Sequence, residues 1–254
     1  EYAGVFRSQD ALRDRMITMD LDYFDYDTEL AITQAVALQL NRDASFYLDT
    51  RNLRSWILKN LAGQRVLNTF AYTGSLGVAA QAAGAARVVQ LDLNRNFLNV
   101  AKTSCTLNGF PIHKADFQTS DFWPLASRMI RAGELFDCVL LDPPFFASTS
   151  KGMVDAKNNY ARLINKVRPL IADGGRLIAV NNALFVSGAE FMKTLKALCA
   201  DGYLEIEELI PVVEDFTGYA TTRIAAEVAD PAPFNHSTKI AVLRVRRKDA
   251  MAHS

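Results

Sequence analysis

No apolar run in this 254-residue chain approaches the roughly 20 residues needed to cross a bilayer, and no basic start with an apolar middle precedes its first strand-like segment. Membrane insertion is therefore not expected, and a cytoplasmic location is. Net charge is missing too. Lys plus Arg and Asp plus Glu both total 28, so nothing global draws the chain to nucleic acid or an anionic membrane, and a polyanionic partner would need a local basic patch. Cysteine is scarce: Cys105, Cys138 and Cys199 lie far apart, odd in number and without CxxC spacing. This excludes a disulfide framework and fits core thiols in a reducing compartment. The three histidines, His113, His236 and His253, are too dispersed for a metal site.

What the chain does have is 50% hydrophobic content, enough for a sizeable core. Residues 1–44 differ from the rest. MITMDLDYFDYDTELAITQAVALQLNRD alternates irregularly, which predicts short strands or a hairpin; Asp20, Asp22, Asp25 and Asp27 interleave with Tyr23, Phe24 and Tyr26 as a solvated edge or a flap. Residues 45–254 read as one further domain. RVLNTF, ARVVQLDL, HKADFQ, FDCVLLD and RLIAVN are short apolar runs separated by helix-length segments, the pattern of a parallel sheet with crossover helices. Gly84, Asn108-Gly109, Gly133, Gly174-Gly175 and Gly202 are the expected helix stops. YLEIEELIPVV and KIAVLRVRR are two last strands around a long insertion, residues 214–238.

The loop after the first long strand lacks the glycines of a dinucleotide cradle. Phe70 and Tyr72 stand near the places where GxGxxG would put them, leaving Gly74 and Gly77, so a pyrophosphate would meet side chains. S-adenosylmethionine has no phosphate and asks instead for a tight turn, an acid for its ribose diol and a polar group for adenine. Asp92 ends the next strand. Asp121 follows the one after, with Phe122 placed to lie against an adenine face. Alternatively, both acids cap the helices that follow them.

A further strand ends in LLDPPFF. Two prolines fix the turn and remove donors, leaving the Asp142 carboxylate and nearby carbonyls as fixed acceptors for an amino group or ring edge, while Phe145 or Phe146 stacks on a planar base.

With FYLDTRNLR (46–54), VLNTFAYTGSLGV (66–78), VVQLDLN (88–94), KADFQTSDFW (114–123), FDCVLLDPPFF (136–146) and DGGRLIAVNN (173–182), the chain resembles class I S-adenosylmethionine-dependent methyltransferases. It is specifically similar to the large-subunit ribosomal RNA group that holds cytosine-5 and guanine-N7 enzymes. The resemblance implies an α/β, Rossmann-like fold with a mostly parallel seven-stranded sheet and helices on both faces, here with a small N-terminal β extension. It implies that Asn68, Phe70, Tyr72 and Gly74 line the methionine side, that Asp92 and Leu93 take the ribose side, and that Asp121 and Phe122 take the adenine. Thr50 and Arg51 would close over the cofactor, Arg51 pairing with its carboxylate or else being, like Arg54, a surface charge. Asp142 serves both cofactor and acceptor; Pro143, Phe145, Asn181 and Asn182 complete the catalytic set.

Departures from the family pattern set the chemistry. Cytosine-5 enzymes carry a cysteine nucleophile after the fifth family strand, where this chain has Asn182, and Cys138 lies inside a strand. Covalent catalysis is not expected. Paired asparagines resemble the guanine-N7 branch, and DPPF the amino-nitrogen methyltransferases; a nitrogen lone pair needs alignment more than a strong base. The resemblance implies an RNA substrate, ribosomal as for the group it resembles, and a chain without the separate RNA-binding domain of many relatives. Arg244, Arg246, Arg247 and Lys248 offer local positive charge, or a solvated strand edge. A small-molecule or protein acceptor, and a non-catalytic cofactor-binding module, are the alternatives. The oligomeric state is open, a homodimer included.

Overall fold

The computed structural model describes residues 16–21, 32–37, 45–217 and 227–248. The expected N-terminal hairpin is present as two antiparallel strands, β1 (Met16–Leu21) and β2 (Ile32–Ala37), paired from Met16 opposite Ala37 to Leu21 opposite Ile32. The acidic and aromatic run at 22–27 lies outside the described residues.

From α1 (Arg51–Asn60) the chain alternates strand and helix: β3 (Arg65–Thr69), α2 (Ser75–Ala82), β4 (Arg87–Asp92), α3 (Arg95–Leu107), β5 (Phe117–Thr119), α4 (Phe122–Arg131) and β6 (Phe136–Leu141). A short hairpin follows, β7 (Phe146–Thr149) with β8 (Gly152–Asp155). Then come α5 (Tyr160–Val167), β9 (Ile171–Asn181), α6 (Gly188–Cys199), β10 (Leu204–Ile210), α7 (Glu214–Thr217) and β11 (Lys239–Val245). Among the described residues no helix is long and apolar enough to cross a membrane.

The main sheet has seven strands in the order β10-β11-β9-β6-β3-β4-β5, with β11 antiparallel to both neighbours and the other pairs parallel. Burial on both faces explains why its strands read as continuous apolar runs rather than alternating ones. Leu67, Val139, Leu141, Leu177, Ala179 and Leu243 point to one core cluster, under α4, α5 and α6. Their chain neighbours Val66, Cys138, Leu140, Ile178, Val180 and Val242 point to the other, under α1, α2 and α3.

Gly84, Gly109, Gly133 and Gly202 follow helices as expected, but Gly174-Gly175 does not stop one. Helix α5 ends earlier, in a 3-10 turn at Arg168–Leu170, and the glycines lie within β9. There the pairing with β6 slips, from Phe136 opposite Ile171 to Cys138 opposite Arg176. A Cβ on Gly175 would come within 2.9 Å of the Asp137 carbonyl, so this bulge needs glycine.

Hairpin β7–β8 was not expected from the sequence. Its strands are four residues each and partly exposed, too short for a two-residue period to stand out.

Candidate active site

The parallel strands β3, β4, β5, β6 and β9 all deliver their carboxyl ends to one edge of the sheet, where an open α/β fold binds its ligand. The loop after β3 is tight and partly left-handed: Phe70 has φ 54°, Tyr72 51° and Gly74 82°. Neighbouring strands hold it there. The Ala71 N–H donates to the Leu91 carbonyl (2.8 Å), the Tyr72 N–H to Asp92 Oδ2 (2.8 Å), and Thr73 Oγ1 to the Ser45 carbonyl (2.5 Å).

Asp92 therefore fixes two loops, since its Oδ1 accepts the Asn94 N–H at 2.8 Å. It does not cap α3; Asn94 does, accepting from the Asn96 N–H. Each Asp92 oxygen keeps a further lone pair. Burial raises its pKa, and the backbone donors oppose that rise.

Asp121 does cap. One oxygen accepts the Trp123 N–H at 2.9 Å and the other the Thr149 hydroxyl of the β7–β8 turn, so an adenine would have to share an occupied carboxylate. Phe122 is also differently placed. It is buried and its ring lies 4.7 Å from that of Phe70, so it backs the first loop instead of offering an open face. Leu93, 60% exposed, is the open apolar surface beside Asp92.

Thr50 does not close over anything: it is buried, donates to the Tyr47 carbonyl (2.9 Å) and accepts from Arg54 (2.6 Å). Nor is Arg54 a surface charge. Fully buried, its guanidinium stacks 4.4 Å above the Phe46 ring and donates to the Tyr47 carbonyl. Arg51 sits half-buried at the first position of α1. The residue that matters beside it is Asp49, which the sequence reading passed over. Its Oδ2 accepts from Thr238 Oγ1 at 2.6 Å, and its Oδ1 is buried without a donor among the described residues.

Asp142 follows β6 and is partly buried. Burial first, and the like charge of Asp49 second, push its carboxyl up to about 7. Pro143 is buried, while Phe145 and Phe146 are 45% and 56% exposed. The Tyr160 hydroxyl donates to the Val180 carbonyl at 2.7 Å and lies 3.2 Å from that of Leu141, stapling the strand ends from which the Asp142 and Asn182 loops depart.

The two asparagines separate. Asn181 is buried, its amide donating to the Ala156 carbonyl and accepting the Ala183 N–H, both at 3.0 Å; it shapes the loop from within and offers little surface to a substrate. Asn182 is exposed, next to Leu184 and Phe185, at 51% and 62% exposure. His236 is half-buried close enough to Asp49 to feel its charge, its Nδ1 accepting the Thr238 N–H; burial lowers its pKa. Burial pushes the Cys138 thiol up to about 12 and that of Cys105 to about 11, leaving both unreactive.

The basic C-terminal run is elsewhere. Arg244 pairs with Glu207 and Arg246 with Glu205 (3.7 Å), while Lys248 lies 4.8 Å over Tyr203. Arg246, Arg247 and Lys248, with Arg168, line a cavity of about 300 Å³ at the end of the sheet opposite the Asp92 and Asp142 loops.

A partly free carboxylate at Asp92, an open apolar neighbour at Leu93 and the buried Asn68 amide N–H behind the first loop, without a partner among the described residues, suit the diol, the purine and the amino-acid end of S-adenosylmethionine. The family model for S-adenosylmethionine-dependent methyltransferases matches residues 10–218. The chain belongs to this family.

Among relatives of this methyltransferase, Ribosomal RNA large subunit methyltransferase I of Aeromonas hydrophila is 33% identical over 182 residues, 71% of this chain and 46% of that protein. The enzyme of the same name from Photobacterium profundum is 32% identical over 162 residues, 64% of this chain and 41% of that one. The chain thus spans somewhat under half the length of these curated relatives. Among solved structures, SMU.776 complexed with SAH superposes with a TM-score of 0.76 at 23% identity, covering 94% of this chain and 58% of that one. The SAM-dependent methyltransferase from Agrobacterium tumefaciens gives 0.67 at 16% identity, over 95% and 72%. Both show the fold.

Proposed function

We propose that this methyltransferase methylates a nitrogen of an RNA base, in ribosomal RNA, by direct in-line transfer with no covalent enzyme intermediate. The observation that carries the reading is the Asp142 turn: a partly buried carboxylate followed by two prolines and two exposed phenylalanines, after the strand paired with the one that leads to an exposed Asn182, where a thiol nucleophile would stand. The names of the relatives supply the RNA.

When bound, the cofactor supplies an electrophilic methyl group on a sulfonium sulfur. Asp92 accepts from its ribose diol, Leu93 covers its purine, and Asn68 with the Phe70–Gly74 loop receives its amino-acid end. Asp142, ionised above about pH 7, accepts from an N–H edge of the target base. Phe145 or Phe146 stacks on the base plane, and the Asn182 amide fixes its rotation. A ring nitrogen presents its lone pair without prior deprotonation, so orientation is the main contribution asked of the protein.

Mass spectrometry of nucleosides from ribosomal and transfer RNA of cells lacking the protein, before and after incubation with the protein and S-adenosylmethionine, tests this. A missing N-methylated nucleoside that is then restored supports it; restored 5-methylcytosine overturns it. Replacing Asn182 with Ala should lower kcat/KM by about tenfold to a hundredfold through lost orientation and leave the cofactor Kd unchanged. Equal turnover would remove Asn182 from the site. Asp92→Ala should raise the cofactor Kd by about a hundredfold, the scale of two lost charge-assisted hydrogen bonds; an unaltered Kd would rule out the ribose role.

A small-molecule or protein acceptor is the second reading, favoured by the basic run lying away from the reaction face and paired with Glu205 and Glu207. Salt separates the two, because phosphate contacts release counterions and substrate affinity then falls steeply with ionic strength.

A further inference from the structure

Lys239 opens β11 opposite Asn181, and it is fully buried. A buried lysine at the end of an α/β sheet is costly, and nothing in the reaction above uses it. Its ammonium donates to the Ala183 carbonyl at 3.2 Å and to the Ser237 carbonyl, so it joins the loop after β9 to the segment before β11. From Ala183 the contacts continue. The Ala183 N–H donates to Asn181 Oδ1 (3.0 Å), Asn181 Nδ2 to the Ala156 carbonyl (3.0 Å), and the Ala156 N–H to the Phe145 carbonyl (2.9 Å). The relay starts at a buried cation and ends on the turn that carries Asp142.

We infer that Lys239 is a positioning residue, whose ammonium clasps the Asn182 loop and, through Asn181 and Ala156, locks that loop to the Phe145 turn in one geometry. The inference rests on the reading of Asn182 and Phe145 as the groups that face the acceptor. An apolar side chain of the same length could fill the space but has no donor with which to bridge two carbonyls. The charged groups acting on the ammonium are Glu227 and Glu190, which favour its charged form, and it in turn lowers the pKa of His236; burial outweighs the acids and brings Lys239 down to about 8. The cation is thus held where its donors are needed, against its own desolvation.

Hydrogen exchange with mass spectrometric readout of Lys239→Met tests the clasp without any substrate. Peptides holding the Ala183 and Ala156 amides should exchange at least about tenfold faster, those of α2 and α3 should be unchanged, and Lys239→Arg should recover part of the protection. Unchanged exchange at Ala183 and Ala156 overturns the inference. So does an equal loss across α2 and α3, which would make the lysine a general fold determinant. Should Lys239→Met not fold, Asn181→Leu cuts the relay at its middle, and undisturbed protection of Ala156 in that variant overturns it too. In turnover, Lys239→Met should cost about tenfold to a hundredfold in kcat/KM for RNA with the cofactor Kd kept, and combining it with Asn182→Ala should cost less than the two losses multiplied. If the wild type methylates no RNA, the proposed function fails while the exchange result still decides the clasp.

Discussion

Asp142→Asn should lower kcat/KM by about a hundredfold to a thousandfold, the range seen when one preorganised polar contact to a reacting group is removed, and leave the cofactor bound. The same substitution should raise the melting temperature. Both effects come from one cause: the carboxylate is held where burial and the charge of Asp49 oppose its ionisation, so its pKa stands at about 7. A folded-state pKa above the ordinary carboxylate value means the folded protein binds the proton more tightly than the unfolded chain. That stabilisation is complete below the unfolded value, near 4, and is lost as pH rises through 7. The melting advantage of Asp142→Asn should therefore grow between about pH 4 and 7 and then level off. A difference that is flat with pH would show that the carboxyl is not strained by burial.

Turnover should follow the same titration in the opposite direction. If the ionised carboxylate accepts from the base edge, wild-type kcat/KM rises through about pH 7, and Asp142→Asn removes the rise along with the activity. Replacing Asp49 with Asn takes away the second cause of the upward shift and should move that limb to lower pH. A limb that stays in place in the Asp49 variant would assign it to another group.

Much of this arrangement was legible in the sequence because it depends on position in a repeating pattern. Strands buried on both faces read as apolar runs, and acids at their carboxyl ends, Asp92 and Asp142, fall at the ligand edge of the sheet by topology alone. What was not legible depends on which of two neighbouring side chains turns inward. Asn181 and Asn182 are the same residue, and strand alternation says that they face opposite ways without saying which faces the core. Thr50, expected over the cofactor, Arg54, expected as a surface charge, and Lys239, of a residue type usually exposed, are all buried, and backbone carbonyls at Tyr47, Ala183 and Ser237 accept from them or their partners. Those carbonyls leave no mark in the sequence. The same holds for Asp121, whose capping role depends only on the Trp123 amide but whose second oxygen is taken by a hairpin that the sequence did not announce.

Gly74→Ala should destabilise the fold by about 2–4 kcal/mol, the sum of roughly 1 kcal/mol for a left-handed alanine and about 1–3 kcal/mol for overpacking. The residue has φ 82°, and a Cβ there would stand 2.4 Å from the Ala101 Cβ of α3 and 2.6 Å from Gln90 Oε1 of β4. Gly84 is the control. Its φ is 80° but a Cβ would meet nothing within 4 Å, so Gly84→Ala should cost only the backbone part. Chemical denaturation of both variants separates the two contributions, and equal losses would show that the close approach to α3 and β4 is of no consequence. Adding Ala101→Gly to Gly74→Ala should recover part of the difference. The glycine thus serves the site from beneath. A Gly77 Cβ would likewise meet the Gln90 side chain, at 2.5 Å, so the two glycines let α2 sit down on β4 and α3. That contact fixes where the loop holding Phe70 and Tyr72 turns, and hence how closely it approaches Asp92. Gly74→Ala should for this reason weaken cofactor binding as well as the fold, while Gly84→Ala, at the far end of α2, should leave binding intact.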